Sequence, residues 1–107
     1  MNEIESHTSS GRLTLTLNRP ESLNALTPTM LDALSAEMDR AANDDSIGVV
    51  VITGAGRAFS AGVDLKSLGE RKIENGAVGP VFDVPGRALL GRIETVPKVV
   101  IAQVNGF

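Results

Sequence analysis

At 107 residues, with 42% hydrophobic and 21% charged side chains, the chain has the make-up of one folded domain of modest core and not of a low-complexity segment. A formal charge of -3 with no cluster of Lys and Arg excludes a general nucleic-acid binder, because phosphate contacts need clustered cations. The lack of Cys, the lack of any apolar run near the roughly 20 residues that span a bilayer, and the acid-bearing N-terminus exclude a disulfide framework, a membrane span and a secretory signal, so a cytoplasmic protein is expected.

The chain opens with Ile4, Glu5 and Ser6 and reaches the turn-forming Ser9, Ser10 and Gly11, with His7 placed as a solvated turn residue. Leu13, Leu15 and Leu17 then share one face and Thr14 and Thr16 the other, the period-two pattern of a half-buried strand, which predicts a β-hairpin over residues 2–18. Asn18, Arg19 and Pro20 end it, since Pro cannot donate to a strand ladder and biases Arg19 toward extended backbone. After a loop carrying Ser22, Asn24 and Ala25, Thr27 and Pro28 mark a helix start: a hydroxyl cap, then proline where its missing N–H does no harm. Met30, Leu31, Leu34, Met38 and Ala41 recur at helical spacing, predicting an amphipathic helix that ends near Asn43 with both methionines in its core stripe.

Asp44, Asp45 and Ser46 turn the chain into residues 48–66, GVVVITGAGRAFSAGVDLK. The stretch starts as a β-branched run without alternation, which predicts a strand covered on both faces, passes through a glycine-rich loop and ends at an expected helix start at Asp64. Backbone N–H groups exposed where a loop becomes a helix suit an anion or a developing oxyanion. Residues 68–80 lose all pattern and are expected to form a mobile surface loop or a lid. Helical spacing returns over residues 81–95 with Pro85 near the helix start, and a second buried strand is expected over residues 99–104, closed by the turn pair Asn105 and Gly106. Strand, helix, strand in this order predicts an α/β fold.

Several motifs compete for the glycine-rich loop. A dinucleotide-binding loop requires a third glycine three positions after Gly56, where Phe59 stands, and a P-loop requires Gly-Lys-Ser/Thr, which does not follow. Residues 58–62 approximate a nucleophile elbow around Ser60, yet Ser60 lies seven positions beyond Thr53, and His7, the only histidine, precedes it where the elbow order puts it after. Ser60 is therefore expected to be a loop hydroxyl bonded to nearby backbone. Asp64 fits a helix cap or first-turn acid, or a ligand contact.

The segments Leu17-Asn18-Arg19-Pro20 with Asn24-Ala25-Leu26, Val51-Ile52-Thr53-Gly54 with Ala58-Phe59-Ser60-Ala61-Gly62-Val63-Asp64-Leu65, and Pro97-Lys98 with Val104-Asn105-Gly106 resemble, in order, the N-terminal part of the enoyl-CoA hydratase/isomerase, or crotonase, family. The resemblance implies a spiral of β-β-α units, with residues 1–107 forming the N-terminal part of a single crotonase-like domain. It also implies acyl-CoA thioester substrates in fatty acid metabolism, no metal, no cofactor beyond the coenzyme A that the substrate carries, and a homotrimer or dimer of trimers at full length. By the motif match the backbone N–H of Val63 is the first of two oxyanion-hole donors to the thioester carbonyl. Ala61, Gly62, Val63, Asp64 and Leu65 would run along the CoA, with Ala25 on its adenine side. Arg19, Arg57 and Lys66 stand either as partners of CoA phosphates or as solvated surface charges.

Family members are more than twice as long, and the resemblance puts the second donor and the acid and base residues beyond Phe107. These residues alone are therefore expected to be close to inactive, and to expose a strand edge and apolar surface that favour self-association. Two functions stay open: the acyl-CoA-binding part of a hydratase or isomerase, or a truncated non-catalytic module that binds CoA-like ligands or packs against a partner.

Overall fold

The computed structural model describes residues 3–60 and 79–106, the second stretch with side chains from Gly86 onward. The expected hairpin forms from β1 (Ile4–Ser9) and β2 (Arg12–Leu17), antiparallel, with Ile4 opposite Leu17 and Ser9 opposite Arg12. Ser10 and Gly11 join them at φ of 51° and 79°, two positive angles in succession that match the twist of the flanking strands. His7 is in β1 opposite Thr14 and exposed, not in the turn, because the positive-φ pair that reverses the chain comes three residues later.

Helix α1 (Pro28–Ala42) begins where the Thr27-Pro28 pair places it. Thr27 is extended, and its Oγ1 accepts the N–H of Met30 at 3.1 Å, which satisfies one of the helix's orphan donors. At the other end the Asn43 side chain donates to the carbonyl of Asp39 at 2.8 Å. The apolar stripe of Met30, Leu31, Leu34, Met38 and Ala41 is buried and meets Leu13, Leu15 and Leu17 in one core. Removing a side chain of this size from water contributes about 1.5–3 kcal/mol, so the stripe decides how α1 sits on the sheet.

Strand β3 (Val49–Gly54) lies parallel to β2, with Leu13 opposite Val50 and Leu15 opposite Ile52. Helix α2 (Gly79–Thr95) returns the chain to β4 (Val99–Ala102), parallel to β3 with Val50 opposite Val100. Among the described residues the sheet order is β1-β2-β3-β4, with only β1 antiparallel. Leu89 and Ile93 of α2 join the core beside Val50 and Ile52, and Arg92 Nε pairs with Asp39 Oδ1 of α1 at 2.9 Å, so both helices serve the same face of the sheet.

Two further expectations change. Helix α2 starts at Gly79 and not at residue 81, which makes Pro85 its seventh residue and not a residue of its first turn. The second strand pairs only over Val99–Ala102 and is not buried: Val99 is 61% and Ile101 47% exposed. The apolar run alone cannot distinguish a central strand from an edge one. Among the described residues β4 is the last strand, and Val99 and Ile101 point away from the face that carries the core. In β3 both Val50 and Val51 are buried, as expected for a strand covered on both faces. Leu90 and Val104 join Val99 and Ile101 as exposed large apolar side chains. The loop or lid expected over residues 68–80 lies outside the described residues up to residue 78, and residues 79 and 80 already belong to α2. Among the described residues no helix is long and apolar enough to cross a membrane.

Candidate functional site

The three parallel strands finish on the same side of the sheet, with Leu17 opposite Gly54 and Ile52 opposite Ala102. The segments that leave them, residues 18–25, 55–60 and 103–106, therefore meet outside the carboxyl ends of the strands, where open α/β sheets place their ligands.

A single 3-10 turn, Pro20–Ser22, compresses the first segment and leaves Leu23 and Asn24 at φ of 52° and 56°. Asn tolerates that left-handed region better than most residues. Its side chain is fully buried here and completely used. Oδ1 accepts the N–H of Arg19 at 2.8 Å, and Nδ2 donates to the carbonyls of Ala55 and Ala58, each at 2.9 Å. From the third segment Asn105 does the same in mirror fashion. Its Oδ1 accepts the N–H of Gly54 at 3.1 Å, and its Nδ2 donates to the carbonyls of Gly56 at 3.1 Å and Ala58 at 3.3 Å. Thr53 Oγ1 donates to the carbonyl of Gln103 at 3.0 Å, tying the end of β3 to the same segment.

Ser60 Oγ donates to the carbonyl of Asn24 at 2.9 Å. The expected hydroxyl-to-backbone bond is present, but its partner lies 36 positions away in sequence and belongs to a different loop. Ser60 is thus anchored immediately before the segment that starts at Ala61. Ala25 is half-buried; its N–H donates to the carbonyl of Ser22 at 3.1 Å, and its carbonyl accepts from Arg19 Nη1 at 2.8 Å. Arg19 Nε also pairs with Glu3 Oε2 at 3.2 Å, so its guanidinium holds the protein's own loop together. Arg57 is exposed at the rim. Ala61, Gly62, Val63, Asp64, Leu65 and Lys66 lie outside the described residues.

Asp44 is the described acid whose carboxyl is held below its ordinary range. The Ser46 hydroxyl at 2.6 Å and the Ser46 N–H at 2.9 Å are the main causes, with Arg40 and Lys98 adding favourable charge. It precedes β3 at the end of the sheet opposite the three segments, so this shift belongs to a turn and not to the site. Among the described residues no three His, Asp or Glu side chains are gathered as metal ligands would be.

The family model for enoyl-CoA hydratase/isomerase matches residues 7–107. The chain belongs to this family. It is 38% identical over 112 positions to a 1,2-epoxyphenylacetyl-CoA isomerase of Escherichia coli, a match that covers 99% of this chain and 41% of that protein. It is 40% identical over 95 positions to a 2,3-dehydroadipyl-CoA hydratase of the same organism, covering 89% of this chain and 35% of the relative. The crystal structure of an enoyl-CoA hydratase/isomerase from Mycobacterium paratuberculosis superimposes with a TM-score of 0.83 at 34% identity, over 97% of this chain and 41% of that one. The hairpin, two helices and mixed sheet are thus the N-terminal part of a crotonase fold, and the chain spans about a third to two fifths of the length of the curated relatives it matches.

Within this enoyl-CoA hydratase/isomerase chain, sequence reasoning takes Asn24 and Asn105 for loop and turn residues and misses that their side chains join the three segments. The available signal was weak. Asn105 stands shortly beyond β4 and Asn24 beyond the Pro20–Ser22 turn, in loops where a short amide side chain can replace backbone partners, but nothing local says that their carbonyl partners lie in the loop after β3.

Proposed function

We propose that these residues form the thioester-receiving part of an acyl-CoA hydratase or isomerase. The N–H of Val63 donates to the thioester carbonyl as negative charge develops on it, the backbone of Ala61, Gly62, Val63, Asp64 and Leu65 runs along the CoA, and Ala25 borders its adenine. The supporting observation is the fastening of residues 55–60 at four points, Ala55, Gly56, Ala58 and Ser60, the last of them three residues before Val63, in a chain of this family. A backbone donor held in place before the reaction stabilises the developing oxyanion without reorganisation, and one such donor is worth about 3 kcal/mol. The second donor, the proton-transferring acids and assembly as a trimer or dimer of trimers are assigned, on the family resemblance, to the whole protein. The substrate brings the coenzyme A, and no further cofactor is invoked.

The test removes only the N–H. Replacing the amide at residue 63 by an ester keeps the valine side chain, whereas Val63→Ala keeps the donor. Dimethylaminocinnamoyl-CoA, whose absorption band moves to longer wavelength as its carbonyl is polarised, reports the difference. The shift is expected to survive Val63→Ala and to disappear in the ester, and an equal response of the two variants overturns the assignment.

A further inference from the structure

We infer that Asn24 and Asn105 act together as positioning residues for the loop over residues 55–60 that leads into the proposed thioester-receiving segment, an inference that rests on the function proposed above. Their side-chain amides approach the carbonyl of Ala58 together, at 2.9 and 3.3 Å, and each takes a second loop carbonyl, Ala55 for Asn24 and Gly56 for Asn105. Each amide carries two N–H groups, so these four bonds use all of them. Each Oδ1 is tied to backbone beside a strand end, Arg19 N–H in one case and Gly54 N–H in the other. The loop between β3 and Ala61 is thereby tied to the segments that follow both neighbouring strands, β2 and β4.

Only an amide can do this at either position. Asp lacks the N–H groups and sets a carboxylate oxygen against carbonyl oxygens, while Ala leaves the Ala58 carbonyl short of partners in a residue that is 1% exposed. The third tie, Ser60 Oγ to the Asn24 carbonyl, fixes the loop end, from which at most about 11 Å of extended chain reaches Val63. Catalytic donors must be held to within about 0.5 Å, and a misplacement of about 1 Å costs roughly 100-fold. Loosening the clamp is therefore felt by carbonyl polarisation before it is felt by overall affinity.

The experiment titrates this chain and its Asn105→Ala, Asn105→Asp and Asn24→Ala/Asn105→Ala variants with dimethylaminocinnamoyl-CoA, following both the affinity and the position of the bound absorption band, with circular dichroism as the check on folding. Each Asn105 variant is expected to lose more than half of the wild-type band shift while the affinity falls less than fivefold. The double variant should lose more of the shift than the single ones, because it leaves the buried Ala58 carbonyl with neither amide as a donor. A bound band at the wild-type position in the Asn105 variants, with only the bindable fraction reduced, overturns the positioning role. Asn105→Asp conserves volume at an exposed position, so loss of the folded spectrum in it as well as in Asn105→Ala also overturns that role in favour of a structural one. A wild type that binds the probe with no shift at all instead overturns the oxyanion reading of the Val63 N–H itself, and is told apart because it needs no variant to appear.

Discussion

Gly54 lies beneath the carbonyl of Ala58, so close that a Cβ on it would overlap that oxygen and stand 2.8 Å from Phe59 Cα. The obstacle is backbone, held in place by Asn24 and Asn105, and cannot swing aside as a flexible side chain would. Gly54→Ala is expected to destabilise the chain by about 1–3 kcal/mol, the usual cost of overpacking. Urea denaturation checks it, and a midpoint equal to wild type would show that the loop has room that its backbone does not display.

Gly91 is the opposite case. It lies inside α2, and a Cβ there meets nothing within 4 Å among the described residues. Gly91→Ala should stabilise by roughly 0.5–1 kcal/mol, through the smaller backbone entropy lost on helix formation. The same denaturation series reads both glycines, and the two substitutions should move the midpoint in opposite directions.

The hydroxyl of Thr27 accepts the Met30 N–H at 3.1 Å at the start of α1. Removing it in Thr27→Ala should cost about 1 kcal/mol, with Thr27→Ser recovering most of the loss because the accepting oxygen returns. A series in which Ser behaves like Ala would assign the effect to the lost methyl group and not to the cap.

The turn before β3 predicts a pH dependence. Hydrogen bonds from Ser46 lower the Asp44 pKa below the ordinary value of 3.8. A carboxyl with a depressed folded-state pKa adds stability that is fully present above its unfolded-state value and is lost as the pH falls through the folded-state one. The stability difference between wild type and Asp44→Asn should therefore be constant from neutral pH down to about 5 and shrink below 3.8. Thermal melts across that range provide the measurement, and a difference that grows on acidification contradicts the assignment.

Much of the fold was legible because its signals are local. The Leu13, Leu15 and Leu17 alternation, the Ser10-Gly11 reversal, the Thr27-Pro28 cap and the 3.6-residue stripe of α1 each lie within one element, and each appears where it was expected. The burial of β4 was not legible. Val99, Val100 and Ile101 are as apolar as Val49, Val50 and Val51, and whether such a run lies inside or at an edge depends on neighbours that periodicity does not name. Of the candidate site, Ala25 sits at the end of the sheet where the three loops meet, while the assignment of residues 61–65 came from resemblance to a family and not from the chemistry of their side chains.

By itself, then, the sequence determined the hairpin, helix α1 with the face it buries, and the family, because hydrophobic period, caps and motif order are properties of neighbouring residues. Only the tertiary structure decided what holds the loop in front of Ala61. The amides of Asn24 and Asn105 find their carbonyl partners 31 to 49 positions away, and such partners are chosen by how the strands stack side by side, not by anything written next to either asparagine.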